Sequence, residues 1–227
     1  MAKRFKRVKN RKEWQEFKIK KRKIEKQYRK LNNPTHLYDY MFPTSHDIFP
    51  EILEECIIVL KKILRSGNTV LITTKANLEC IMALCEELRH WKSQICFRFT
   101  ITSEYRKISK RFEPYAPDPN ERGTCLMHAN WNGYKTSISM EPFLDKDPIP
   151  LILSEAIWVT DTIWLGIMSG RIPEDLKENY SLDNLVEIYH RCQQLPPSIK
   201  EKLRFKDSIV NKLNLSKNWI REDKFEL

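Results

Sequence analysis

The residues best suited to chemistry lie in one stretch, Cys96 to Arg122, reading CFRFTITSEYRKISKRFEPYAPDPNER. Ile95, Phe97, Phe99 and Ile101 fall on one face of a period-two run, which predicts a buried strand. Thr100, Thr102 and Ser103 put hydroxyls at its C-terminal end. A charged segment follows, and the prolines of Glu113-Pro114 and Ala116-Pro117-Asp118-Pro119 forbid regular structure. Asn120-Glu121-Arg122 then opens an apolar-periodic helix. In a parallel α/β sheet the loops after the strands carry the ligands. A long polar loop holding Arg106, Arg111, Glu113 and Arg122 is therefore where a ligand site is to be sought. The alternative is a solvated surface loop.

Two other groups of residues bear on chemistry. Six cysteines stand at 56, 80, 85, 96, 125 and 192, with no CxxC pair, and Cys80 with Cys85 is at helical spacing. They read as buried small hydrophobes, and a metal or cluster site built from them alone is poorly supported. The net charge of +10 is concentrated: Lys3 to Lys30 holds fifteen Lys or Arg against Glu13, Glu16 and Glu25. Such a segment attracts phosphate backbones, or serves as a solvated helix face. Hydrophobic residues at 41% suffice for a core, no apolar run reaches a membrane span, and the basic N-terminus lacks a signal peptide's apolar region. A cytoplasmic protein is expected.

The elements that position these residues follow in order. Residues 1–31 read as one amphipathic helix with Trp14, Phe17, Ile24, Tyr28 and Leu31 on one stripe, ended by Asn32-Asn33-Pro34. Leu37–Phe42 is a short strand. A helix starts at Pro50 and stops at Gly67. Thr69–Thr74 is a strand apolar on both faces, and Asn77 caps a helix over Leu78–Trp91. After the Cys96–Arg122 stretch come a helix to Asn132, a strand over Tyr134–Glu141, a short helix over Pro148–Ala156 and a strand within Ile157–Met168. Two helices, Leu182–Gln193 and Pro197–Leu213, close the chain before a charged tail from Lys217. Repeated strand–helix alternation specifies a parallel sheet, either doubly wound or closed toward a barrel. There is no GxGxxG and no GxxxxGK[ST], so neither nucleotide-binding fingerprint supports the open form.

Six segments then match a known order: MFPTSHDIFPE (41–51), GNTVLITTK (67–75), FRFTITSE (97–104), FEPYAP with NER (112–122), GYKTSISMEPFLD (133–145) and VTDTIWLGIM (159–168). In combination they resemble radical SAM proteins of the group related to spore photoproduct lyase, often called DNA-repair-photolyase-like. The resemblance implies a partial (β/α)6 barrel of the TIM type over roughly residues 1–170. It leaves a C-terminal helical extension over 171–227. It also implies S-adenosylmethionine (SAM) and a [4Fe–4S] cluster at the C-terminal ends of the strands. That cluster is held in the family by a CxxxCxxC loop after the first strand. The stretch beginning MAKRFKR resembles the helix after that loop, so the first strand and its cysteines are missing from this sequence. The expectation is an N-terminally truncated radical SAM protein, inactive alone, with an unpaired edge at Leu37–Phe42 that a second polypeptide would cover.

Carried over by position, the resemblance assigns Thr44, Ser45 and Asp47 to the methionine amino end of SAM, with Lys75 ending the next strand. Thr100 and Ser103 fall where ribose or carboxylate contacts belong, and Arg122 lies in the exit helix. Ser139 and Glu141 stand where adenine approaches, and Gly166 and Met168 near its face. Glu141 before Pro142 equally suits a turn, Met168 equally suits core, and His46 suits a turn residue bonded to its own backbone. Two other functions stay open. One is a non-catalytic module whose basic first helix binds nucleic acid, with Trp14 and Tyr28 for stacking. The other is a cluster-free SAM-binding protein.

Overall fold

The computed structural model describes residues 21–31, 39–44 and 46–215. Six parallel strands form one sheet in chain order: β1 (Asp39–Phe42), β2 (Thr69–Thr74), β3 (Ile95–Thr100), β4 (Lys135–Met140), β5 (Ile163–Leu165) and β6 (Leu203–Phe205). The α-helices are α1 (Lys21–Leu31), α2 (Leu53–Arg65), α3 (Leu78–Glu87), α4 (Arg106–Phe112), α5 (Pro119–Trp131), α6 (Ile149–Glu155), α7 (Leu182–Gln193), α8 (Pro197–Lys200) and α9 (Asp207–Leu213). The fold is α/β, as the strand–helix alternation predicts. A parallel sheet whose spatial order equals its chain order is consistent with a partial barrel. No helix among the described residues is long and apolar enough to cross a membrane.

Registered neighbours in a parallel sheet share a face, so the pairing sorts every strand residue. One face carries Val70, Ile72, Phe97, Phe99, Ile138, Met140, Ile163, Leu165, Leu203 and Phe205. These join Leu60 and Leu64 of α2, Leu84 of α3, Leu126 of α5, Ile188 of α7 and Val210 of α9 in a single apolar cluster. The opposite face carries Thr73, Arg98, Thr100, Ser137, Ser139, Trp164 and Arg204, together with Met41, Leu71 and Cys96 toward the starts of β1–β3. Period-two alternation thus gives the sheet one oily side under helices and one polar side. Thr69–Thr74, expected to be apolar on both faces, is so at its centre, with Val70 and Ile72 on the oily side and buried Leu71 between Thr69 and Thr73 on the other.

Local signals act where they should. Asn77 accepts the Cys80 N–H at 3.1 Å as the cap of α3, and Gly67 takes φ 78° after α2. Several boundaries differ from the expectation. The charged segment forms α4, because Ile108 and Phe112 are one helical turn apart and pack on the core. Helix α5 opens at Pro119, not at Asn120, with the Asp118 side chain accepting the Asn120 N–H at 3.2 Å. Strand β5 is shorter than Ile157–Met168, since Thr160 and Asp161 tie a loop to the Thr136 carbonyl.

The largest difference is β6. The predicted final helix, Pro197–Leu213, splits into α8, β6 and α9, so the expected helical extension adds a strand to the sheet. Leu203 and Phe205 go to the oily face and Arg204 to the polar one. Three residues are too short a run for alternation to stand out against helical spacing. Of the predicted first helix, Lys21–Leu31 is described; Trp14, Phe17, Leu37, Tyr38, Ser45 and the tail from 216 lie outside the described residues.

The two faces predict different costs of truncation. Phe97→Ala, from the fully buried oily face, should lose about 3–5 kcal/mol of stability in urea unfolding. Thr100→Ala, from the polar face, should lose about 1 kcal/mol or less.

Candidate functional site

The parallel strands all end on one edge, and the loops there border an open cavity of about 510 Å³ over β1–β3. That volume is in the ordinary range for a small-molecule site, roughly 300–1,000 Å³. Thr44 and His46 after β1, Thr73 and Thr74 of β2, Lys75 just after it, Thr100 of β3 and Tyr115 form much of its wall. Tyr115 borders the cavity and is 96% exposed.

Asp47 locks the floor. Its carboxylate accepts from the Ile48 N–H at 2.8 Å, the Lys75 N–H at 3.0 Å and the Thr74 hydroxyl. The carboxylate therefore pins the β1 loop to the end of β2. The His46 Nδ1 lies 2.8 Å from the Asp47 carbonyl, the local backbone bond expected from its sequence setting. Thr73 Oγ1 is buried and has no hydrogen-bond partner among the described residues. An orphaned hydroxyl beside a cavity is a place where a ligand's polar atom gains a bond at no desolvation cost to the protein.

The roof is held by a buried ion network. Glu113 Oε1 lies 2.8 Å from Lys75 Nζ, and its Oε2 lies 2.8 Å from Arg122 Nη1. Thr102 donates to the same Oε2 at 2.8 Å. Arg122, 1% exposed, also donates to the carbonyls of Pro117 at 2.8 Å and Thr100 at 3.0 Å. Burial alone would push the Glu113 carboxyl up, but Arg122 and Lys75 more than offset it and hold it below the ordinary 4.5. The Lys75 side chain stays 39% exposed at the cavity wall, where its ammonium can meet an anionic group.

The predicted site residues separate into three groups. Thr44, Asp47, Lys75 and Thr100 meet around the cavity. Ser103 and Arg122 are buried and turned inward: Ser103 donates to Asp145, itself buried with its carboxyl pushed up by desolvation, and Arg122 clamps the roof. Glu141 and Gly166 belong to the β4–β6 side of the sheet, outside the cavity lining, and Ser139 stands beside the lining residue Thr100 in register without lining the cavity itself. There Glu141 pairs with Lys206 at 3.3 Å, and a Cβ added at Gly166 would come within 2.8 Å of Glu141 Cγ and 3.0 Å of Lys206 Cγ. The space at Gly166 is thus taken by the protein's own ion pair. Met168 packs against the apolar cluster. In the polar loop, Arg106 pairs with Asp118 at 2.9 Å and Arg111 with Asp175 at 2.8 Å. Sequence reasoning passes over Thr73, Tyr115 and Lys206. The alternation of Thr69, Leu71 and Thr73 carries a signal for the first, whereas Lys206 follows a strand that periodicity does not reveal.

The thiols do not fit an iron–sulfur cluster. All six cysteines are buried, and burial pushes Cys80 up to about 11 and Cys56, Cys85, Cys96, Cys125 and Cys192 up to about 12. Cluster ligation needs thiolates. Among the described residues no three His, Cys, Asp or Glu side chains could hold a metal ion.

The fold has solved counterparts. Streptococcus suis SuiB bound to the precursor peptide SuiA aligns with a TM-score of 0.52 at 13% identity, over 85% of this chain and 54% of that one. A second SuiB crystal structure gives 0.50 at 12% identity, over 82% and 52%. SuiB bound to S-adenosylmethionine gives 0.48 at 13% identity, over 82% and 53%. At this identity the likeness shows the fold alone, and the chain spans about half the length of SuiB. No protein-family model matches the sequence, and no curated protein matches it as a relative.

Two measurements check the roof. Arg122→Met strands the Glu113 carboxylate against fewer donors and should cost about 3–5 kcal/mol in urea unfolding. Because Glu113 titrates below 4.5 when folded, its contribution is full above that pH and is lost as pH falls through the folded value. The stability difference between wild type and Glu113→Gln should therefore shrink on acidification below 4.5. A difference that stays flat refutes the ion network.

Proposed function

We propose that this chain is the SAM-binding barrel portion of a radical SAM enzyme, of the spore-photoproduct-lyase-related group that its motifs resemble. The observation that carries the reading is the cavity wall. Thr44, Lys75 and Thr100, assigned by motif to SAM, stand around one cavity beside the orphaned Thr73 hydroxyl. The fold shared with SuiB adds support, since SuiB has been crystallised with SAM. Lys75 would meet the ligand's carboxylate, Thr73 one of its polar atoms, and Tyr115 would cover the opening. The cysteines of this chain are not the cluster's ligands, so those would come from residues outside this sequence, and the chain by itself would not carry radical chemistry. Strand β1 is a sheet edge among the described residues, with Met41 exposed, and suits pairing with a further strand from another polypeptide. Six free, buried cysteines suit the reducing cytoplasm.

Saturation-transfer NMR with SAM tests the cavity directly. Ligand signal should appear with the wild type, and Lys75→Met should weaken binding about tenfold through loss of a charge-assisted contact. No transfer, or transfer indifferent to Lys75→Met, would sink the assignment.

A second reading has its own observation. Lys21, Arg22, Lys23 and Lys26 of α1 are exposed, while Ile24 is half-buried and Glu25 pairs with Lys62 of α2 at 2.6 Å. A cationic ridge fixed this way suits a phosphate backbone. Anisotropy of a fluorescent single-stranded oligonucleotide should then show binding that falls steeply with salt. A flat salt response removes the nucleic-acid reading.

A further inference from the structure

The β4–β6 side of the polar face holds a second arrangement, apart from the cavity wall. At its centre is Trp164, 5% exposed, whose indole N–H donates to Thr162 Oγ1 at 3.0 Å. Two cations lie against this one ring: the Lys206 ammonium at 4.6 Å from the centroid and the Arg98 guanidinium at 5.4 Å. Arg98 is oriented by Ser137 Oγ at 3.1 Å and Thr162 Oγ1 at 3.4 Å. A ring quadrupole favours each cation. Registered pairing adds Lys135 and Arg204 to the same face. Carboxylates border it too: Glu141 stands beside Lys206, and Asp161 accepts from Thr162 at 2.7 Å.

The pairing of Lys206 is loose. Its 3.3 Å separation from Glu141 exceeds the roughly 2.7–2.9 Å of a well-made charge-assisted bond. Both side chains are partly open to solvent, 31% for Lys206 and 40% for Glu141. A weak, exposed pair above a buried ring flanked by two cations is one that an incoming oxyanion can replace at Lys206. Gly166 lets both side chains pack over the end of β5, since a Cβ there would collide with them.

We propose that this face binds an oxyanion of the substrate, a carboxylate or a phosphate, on the side of the Lys206 ammonium away from the Trp164 ring, which holds the cation in place. The role as a substrate site rests on the reading of the neighbouring cavity as the SAM pocket. Lys75 follows β2 and Lys206 follows β6, so both lie at the C-terminal edge of the parallel sheet.

The test is NMR of the indole N–H groups of the full chain, which has six tryptophans, with Trp164 assigned through Trp164→Phe. Inorganic phosphate and acetate are titrated separately, with chloride at matched ionic strength as control. The Trp164 signal should move saturably with at least one oxyanion and not with chloride, and the tighter of the two names the source. Lys206→Met should weaken that response about tenfold, and Lys206→Arg should retain it. No saturable shift, an equal shift with chloride, or a response unchanged in Lys206→Met overturns the proposal. SAM transfer measured on the same samples separates the two readings. A Trp164 response without SAM contact keeps the anion site and removes the SAM pocket, whereas SAM contact without a Trp164 response removes the anion site alone.

Discussion

The carboxylate of Glu113 is the interaction on which the candidate site depends. A carboxylate in that buried position is tolerable only if its oxygens are satisfied, and Lys75, Arg122 and Thr102 satisfy them. Those partners come from the end of β2, from α5 and from the segment after β3. Arg122 then reaches the Pro117 and Thr100 carbonyls, so the proline-rich loop is fastened to the sheet edge from beneath. The loop keeps its shape although its prolines deny it regular hydrogen bonding. Tyr115 borders the cavity in that loop, and Lys75 stands at the cavity wall.

The second constraint is the division of the sheet into two faces. The helices need one apolar surface to cover, and alternation along every strand supplies it. What remains on the other side is Met41, Leu71 and Cys96 toward the starts of β1–β3 and, beyond them, a set of hydroxyls, cations and one tryptophan. A face used only for packing would be filled with aliphatic side chains, as barrel interiors commonly are. Here Arg98, Ser137, Ser139 and Trp164 occupy it, in register across three neighbouring strands. The polar side is therefore where both candidate binding regions lie, one over β1–β3 and one over β4–β6.

The cysteines divide what this chain can supply from what it cannot. Cys56, Cys80, Cys85 and Cys125 sit in helices within the apolar cluster, and their thiols are pushed toward the protonated form by burial. They behave as small hydrophobes, in agreement with their lack of ligand spacing. Fold likeness to SuiB covers most of this chain but about half of that protein. What this chain offers is a scaffold and its polar edge.

Much of the fold is legible in the sequence alone. The strands at Thr69–Thr74 and Ile95–Thr100 and the Asn77 cap follow from periodicity and local hydrogen bonding, which act over a few residues. The prolines mark their loop as irregular, and its Glu113 and Arg122 stand out as residues of consequence. Their roles are not legible, because whether a guanidinium faces a ligand or a buried carboxylate depends on residues as far apart as Lys75 and Arg122. Strand β6 is hidden because three alternating residues gain meaning only when β5 lies beside them. Lys206 and Trp164 become neighbours through that pairing. Sequence by itself determined the apolar periodicities, the caps and the inert spacing of the cysteines, since these are properties of neighbouring residues. The tertiary structure alone decided which charges pair, which face stays polar and which hydroxyl is left without a partner, since those depend on distance in space.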